Sequence, residues 1–206
     1  MKILGISGHK GAGKDTVAES LQDFWPCTKP SIIRFAGSVK EIVARVVFAK
    51  AKFVEGMKYE TVHGRTGTEW LQLIGTDWFR NELPDCWVNC YKATVNAIVE
   101  WGIENDLGEH CIVLTPDVRF PNEVKAIHDL GGHVIRLTRT PFPEDKHESE
   151  TALDECEHIS GKFLAGMKFI KPTSMELFDA ITDNANMTVD ECNKAVLELV
   201  QERGWV

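Results

Sequence analysis

The sequence predicts an α/β fold of three layers, α/β/α, with helices on both faces of a central parallel sheet. Three observations carry that expectation. The apolar run Lys2–Ser7 passes through a glycine-rich turn straight into an amphipathic stretch, Lys14–Phe24, a strand–turn–helix signature. Short apolar runs then alternate with helical patterns at Cys111–Thr115, Asn122–Leu130 and His133–Leu137, and such alternation builds a parallel sheet. A long stretch between the early and late strands has apolar residues at helical spacing. The 206 residues therefore read as one domain, with a core over about 1–37 and 108–206, a helical insertion over about 38–107 and a lid over about 140–160.

The elements follow in order. Val17, Ala18, Leu21 and Phe24 give the first helix its buried face. Pro26 and Pro30 punctuate a loop, and Ser31–Ala36 is expected as the second strand. Ser38-Val39-Lys40-Glu41 is a capping-box pattern opening a helix with Ile42, Val43, Val46 and Val47. Lys50 to Gly67 is too polar for core and is expected as a mobile connector. Thr68 is expected to cap a helix carrying Trp70, Leu71, Ile74 and Trp78. Pro84 breaks the chain before a helix carrying Trp87, Val88, Tyr91, Val95, Ile98 and Val99. Pro121 starts and Gly131 ends the 122–130 helix. Thr140–Cys156 is acidic, with Lys146 its only Lys or Arg, and reads as a lid or loop. Ala180–Asp183 is expected as an edge strand, and Thr188 with Glu191 caps a last helix to about Arg203.

Composition narrows the function classes. The net charge of −8 argues against nucleic acid as the main partner. No apolar run is long enough for a membrane span, and the first strand runs directly into the glycine turn, so neither an anchor nor a leader is expected and the location reads as cytoplasmic. Cys27, Cys86, Cys90, Cys111, Cys156 and Cys192 show no CxxC spacing. Cys156, His158 and His147 fall short of a four-ligand zinc pattern, so the cysteines read as reduced thiols.

The chemistry concentrates at Gly8-His9-Lys10-Gly11-Ala12-Gly13-Lys14, which fits the GxxxxGK phosphate-binding loop. Its amides and the following helix start suit phosphate oxygens, and Lys14 is placed to reach the outer phosphates. The pattern's next residue is Ser or Thr, whose hydroxyl meets Mg²⁺; here it is Asp15, with Thr16 after it. A carboxylate also serves a hard cation. Asp117, beyond the run Ile112–Thr115, suits the acid that orients Mg²⁺ or its water, with Arg119 two residues on. Arg136 and Arg139 lie at the C-terminal end of a strand, where open α/β sheets bind ligands. Arg34, Lys40, Arg65 and Arg80 are candidates to grip a second phosphate, and Trp70, Trp78, Phe79 and Trp87 are candidates to stack a base.

Taken together and in order, these pieces resemble the deoxynucleoside monophosphate kinases of tailed bacteriophages, within the P-loop nucleoside monophosphate kinase superfamily. The resemblance rests on Gly8 to Thr16, Arg34-Phe35-Ala36 with Lys40-Glu41, Leu73-Ile74-Gly75-Thr76-Asp77 with Arg80 and Trp87-Val88, and Asp117-Val118-Arg119-Phe120 with Asn122-Glu123. It continues through Gly131 to Leu137 and His147-x-Ser149-Glu150, with Ile181 to Asn184 as a tail match. It implies a P-loop core, a monophosphate-binding insertion and a small lid. It also implies transfer of the ATP γ-phosphoryl to a deoxynucleoside monophosphate, with Mg²⁺, in a homodimer in the cytoplasm of an infected bacterium. By the same resemblance, Lys14, Arg119 and Arg139 are catalytic. Gly8, Lys10, Gly11, Ala12, Gly13, Lys14, Asp15, Thr16 and Arg136 hold ATP. Arg34, Lys40, Arg65, Trp70, Asp77, Arg80, Trp87, Asp117 and Glu150 hold the acceptor, and Asp15, Thr16 and Asp117 serve the metal. Phe35-Ala36-Gly37-Ser38 lacks the acidic residue and proline of that pattern, which leaves the acceptor base open. Two other readings share the first motif: a dephospho-coenzyme A kinase-like enzyme and a nucleotide-binding module without kinase activity.

Overall fold

A computed structural model describes residues 1–25, 30–105, 111–142, 147–154 and 177–205. Cys27, Cys156, His158 and part of the expected lid lie outside them. The chain divides into two compact units, residues 1–33 with 94–206 and residues 34–93, whereas the sequence reading drew the insertion at 38–107.

The first unit is built on a sheet of five parallel strands in the order β2-β5-β1-β6-β7. These are β1 (Lys2–Ser7), β2 (Ser31–Ile32), β5 (Ile112–Val118), β6 (His133–Leu137) and β7 (Ala180–Thr182). β1 occupies the middle because its sequence is apolar on both faces, as a doubly covered strand requires. Leu4 and Ile6 pack with Val17, Ala18 and Leu21 of α1 (Lys14–Phe24) and with Val196, Leu199 and Val200 of the last helix, Val189–Arg203. Gly5 faces the other way, where a Cβ would stand 2.6 Å from Ile127 of α6 (Pro121–Asp129). Helices therefore cover both faces, giving the three layers. No helix among the described residues is long and apolar enough to cross a membrane.

Two strands depart from expectation. β2 is only two residues long; Ile33 still donates to the Leu114 carbonyl, at 2.9 Å, and then the chain turns, with the Gly37 amide on the Arg34 carbonyl at 3.1 Å. β5 is longer than its apolar run and includes Pro116 and Asp117. Opposite Gly5 to Ser7 of β1, β5 spends an extra residue between Thr115 and Val118. Pro116 has no N–H to give to a ladder, and a bulge is where a sheet tolerates that loss.

The second unit is helical. α2 (Gly37–Ile42) runs on as a π-helical turn, Val43–Val47. It starts from Ala36, so Ser38 lies inside the first turn and the expected capping box does not form. The 50–67 connector is structured: a 3₁₀ turn at Glu55–Lys58 buries Met57, and β3 (Thr61–Val62) pairs antiparallel with β4 (Arg65–Thr66). The hairpin turns on His63 and Gly64, both at positive φ, the geometry of a two-residue loop. Thr66, not Thr68, caps α3 (Gly67–Gln72): its amide donates to Glu69 at 2.6 Å and its Oγ1 accepts the Glu69 amide at 3.3 Å. Thr68 instead donates to the Lys58 carbonyl, at 3.2 Å. A second π-helical turn, Leu73–Trp78, leads to α4 (Phe79–Glu82) and then to α5 (Cys86–Glu104), whose later part belongs to the first unit. Val39, Val43, Ile74 and Trp87 form this unit's core.

Back in the first unit, Asp179 clasps the start of β6. It accepts from the Val134 amide at 2.8 Å and meets His128 at 2.9 Å and His133 at 3.2 Å. Burial works to raise its pKa, but the hydrogen bonds from His128, Val134 and His133 outweigh it and hold the carboxyl below its ordinary value. A depressed carboxyl adds stability that is present above the unfolded-state pKa and is lost as pH falls through the folded one. Asp179→Asn is therefore expected to cost about 1–2 kcal/mol at neutral pH. The difference from wild type should shrink progressively as pH falls below the ordinary carboxyl value of 3.8, as read by urea unfolding across that range.

Candidate functional site

β1 delivers the chain to the C-terminal edge of the sheet, where the glycine loop begins. Gly8 adopts φ 149°, and a Cβ there would sit 2.9 Å from the Leu137 carbonyl oxygen, so only glycine lets the loop lie against the end of β6. Gly13, at φ 97°, starts α1 and has no side chain to cap the helix. A helix start of this kind meets an anion with its amides and its positive dipole end.

Lys14 is the first helical residue and is buried. Its ammonium folds back over the loop and donates to the Gly8 and His9 carbonyls, at 2.7 and 2.8 Å. Burial lowers its pKa to about 7; the Arg119 and Arg136 charges push the same way, and Asp15 and Asp117 oppose them.

Two arginines converge on this loop. Arg136 of β6 stands in register with Ser7, is 2% exposed, donates to Ser7 Oγ at 3.0 Å and lies 3.4 Å from His9 Nε2. Arg119 follows β5 and is aimed by Glu123. That buried carboxylate accepts the Arg119 amide at 2.8 Å and the Phe120 amide at 3.2 Å, closing the start of α6. The bulge in β5 leaves Asp117 only partly covered while both its neighbours are buried.

Acidic residues complete the arrangement. Glu148–Thr151 forms a short helix, α7, whose start is held by His147: Nδ1 accepts the Ser149 amide at 3.2 Å and lies 2.9 Å from Ser149 Oγ. Glu150 binds the Arg119 guanidinium and accepts the Lys10 amide at 2.8 Å. Asp154 meets Arg136 and His9, each at 3.0 Å.

Arg139 is placed differently from Arg119 and Arg136. Its guanidinium donates to the Asn184 carbonyl at 2.9 Å and to the Met187 carbonyl, so it braces the turn before the last helix. Asn184, quoted in the tail match, was given no role by sequence reasoning. It accepts the Arg139 amide at 2.9 Å and donates to the Ala12 carbonyl at 2.8 Å, tying the glycine loop to the end of β6. His9, Ser7 and Asp154 were missed as well. Each is an ordinary residue type in sequence and gains its partner only when the strands align.

The second unit carries the remaining candidates. Trp87 is 4% exposed and its Nε1 donates to the Gly75 carbonyl at 2.6 Å, a core position. Trp70 donates to the Val62 carbonyl at 2.9 Å with Arg65 over its ring at 5.8 Å, so both brace the hairpin. Trp78, 55% exposed, and Phe79 present open aromatic surface. Asp77 is exposed; Arg34, Lys40 and Arg80 are partly exposed.

As for a metal, no cluster of three His, Cys, Asp or Glu among the described residues is placed to hold an ion. Asp15 and Asp117 both act on the Lys14 charge. One or two carboxylates beside a phosphate site are what Mg²⁺ needs when it arrives with phosphates and waters, so this donor set fits it.

No family model matches the chain. It is 28% identical over 162 residues to a protein of Acanthamoeba polyphaga mimivirus named "Putative deoxynucleotide monophosphate kinase", a match covering 74% of this chain and 82% of that one. Among solved structures, dephospho-CoA kinase from Campylobacter jejuni aligns over 98% of this chain and 96% of that chain at 13% identity with a TM-score of 0.40. A likeness of that size carries no argument.

A lysine whose folded pKa is lowered binds fewer protons in the folded than in the unfolded chain between about pH 7 and its ordinary value, so stability rises with pH across that window. Lys14→Met removes the buried charge. The variant is expected to be more stable than wild type at pH 6.5, by on the order of 1–3 kcal/mol, and the gap should narrow steadily up to pH 10 in urea unfolding.

Proposed function

We propose that this chain is a kinase that transfers the ATP γ-phosphoryl group to a deoxynucleoside monophosphate, giving ADP and a deoxynucleoside diphosphate. The observation that carries the reading is the buried Lys14 ammonium inside a glycine loop, with Arg119 and Arg136 converging on the same mouth. Three cationic groups around backbone amides suit a polyphosphate. The mimivirus protein's name supports the acceptor class.

In this reading the amides of residues 8–14 cradle the ATP phosphates, and Lys14 leaves the Gly8 and His9 carbonyls for a phosphate oxygen. An oxygen of the acceptor monophosphate forms a bond to the γ-phosphorus, and the bond to the bridging oxygen breaks, with ADP leaving on that electron pair. The acceptor oxygen is already anionic, so no strong base is required; positioning and charge carry the rate. Arg119 and Arg136 offset the charge that spreads over the transferred group, while Arg139 positions the loop through Asn184. Mg²⁺, where bound through Asp15, Thr16 or Asp117, supplies charge neutralisation of the phosphates. We assign the acceptor phosphate to Lys40, Arg34 and Arg80, and base stacking to the open rings of Trp78 and Phe79 rather than to Trp70 and Trp87.

Purified protein with Mg-ATP and, separately, dAMP, dCMP, dGMP, dTMP or dephospho-coenzyme A is expected to form ADP only with one or more of the monophosphates. Lys14→Met should lower kcat at least about a hundredfold. Acceptor-independent ADP formation, or turnover with dephospho-coenzyme A alone, would overturn the reading.

Phosphate binding should restore the Lys14 pKa, because the new anion favours the charged form. Triphosphate binding at pH 8 is then expected to take up close to one proton per site, about 0.9 for a pKa of about 7. Titration calorimetry in two buffers of different ionisation enthalpy measures this, and Lys14→Met should abolish it.

A further inference from the structure

The acidity of the segment after β6 is unexpected beside a phosphate-binding loop, and the geometry accounts for it. Glu150 and Asp154 are four residues apart. Leu153, fully buried between them, anchors the segment. Each carboxylate takes one donor from the glycine loop and one arginine. Glu150 holds the Lys10 amide at 2.8 Å and the Arg119 guanidinium; Asp154 holds His9 and Arg136, each at 3.0 Å. Glu150 is itself only 7% exposed on its side chain, so its charge is buried among these donors rather than solvated at the surface.

A loop amide beside a guanidinium is what a phosphate oxygen seeks, and a carboxylate offers the same planar pair of anionic acceptors. We infer that Glu150 and Asp154 are internal stand-ins for nucleotide phosphate oxygens: an autoinhibitory contact that fills the anion site of the empty protein and must be displaced before a nucleotide binds. The inference rests on the reading of the loop as a polyphosphate site and goes beyond it by naming a built-in competitor. The contact also supplies Arg119 and Arg136 with a carboxylate each, and removing one partner of such a pair has a cost in stability. A ligand that must expel a bound competitor pays in apparent affinity by the fraction of molecules in which the site is open.

Titration calorimetry with sodium tripolyphosphate, and separately with Mg-ATP, tests this on the full chain. The proteins are wild type, Glu150→Gln, Asp154→Asn and Lys14→Met. Glu198→Gln makes the same change of charge at an exposed position of the last helix. Glu150→Gln and Asp154→Asn are each expected to tighten binding of both probes about fivefold to tenfold, with Glu198→Gln within twofold of wild type. If neutralising either carboxylate weakens binding, that residue is a substrate contact or an arginine-positioning residue, and the inference falls while the phosphate site stands. If the variants bind like Glu198→Gln, it also falls. If neither probe binds wild type or the carboxylate variants, the polyphosphate reading itself falls and takes the inference with it. Binding by the variants but not by wild type would be the strongest result in favour.

Discussion

The constraint on which the rest of the first unit depends is the burial of one ammonium group in a loop of backbone. Among the described residues no carboxylate is a direct partner of Lys14; two carbonyls, of Gly8 and His9, accept hydrogen bonds from its ammonium. A charge bonded to dipoles and kept out of water is expensive, and its lowered pKa records that expense. The loop must curl to bring those carbonyls inward, which demands left-handed glycines, and it must be braced from outside so that it stays curled. Asn184 braces it at Ala12, the end of β6 lies against Gly8, and Glu150 holds it at Lys10.

The site is therefore best described as a charge balance rather than a catalogue of contacts. Arg119 and Arg136 lower the Lys14 pKa, whereas Asp15 and Asp117 raise it. Glu150 and Asp154 answer the two arginines. These seven groups arrive on four elements: the start of α1, the bulged end of β5 and the residue after it, β6, and the segment around α7. Their convergence follows from the parallel sheet, because β1, β5 and β6 all point their C-terminal ends the same way and the loops that follow them share one edge. The bulge at Pro116 shows how local chemistry serves this. Proline cannot complete the ladder there, the strand gains a residue, and Asp117 is left partly exposed between two buried neighbours.

Much of this was legible in the chain itself. The bounds of β1, α1 and β6 follow from hydrophobic period, and Thr188 and Glu191 mark the last helix through a reciprocal cap that needs no tertiary partner. The same local logic failed at Ser38 and Thr68. Several polar residues there could begin a helix, and the backbone course chose Ala36 and Thr66. The 50–67 stretch read as a mobile connector because a two-residue hairpin and a single buried Met57 leave almost no periodic signal.

What the sequence determined by itself was the strand–glycine loop–helix unit, the alternation that makes an all-parallel sheet, and the candidacy of Lys14, Arg119 and Arg136. Each is written in neighbouring residues. The tertiary structure alone decided which arginines point at the loop and which, like Arg139, are spent on carbonyls. It decided that Trp87 is core while Trp78 is open, and that two carboxylates from an acidic segment sit on the loop's amide, histidine and arginines. Those outcomes join residues far apart in the chain, as with Ala12 and Asn184 or Lys10 and Glu150. A hydrogen bond across such a separation depends on strand order and register, which no local pattern of residue types encodes.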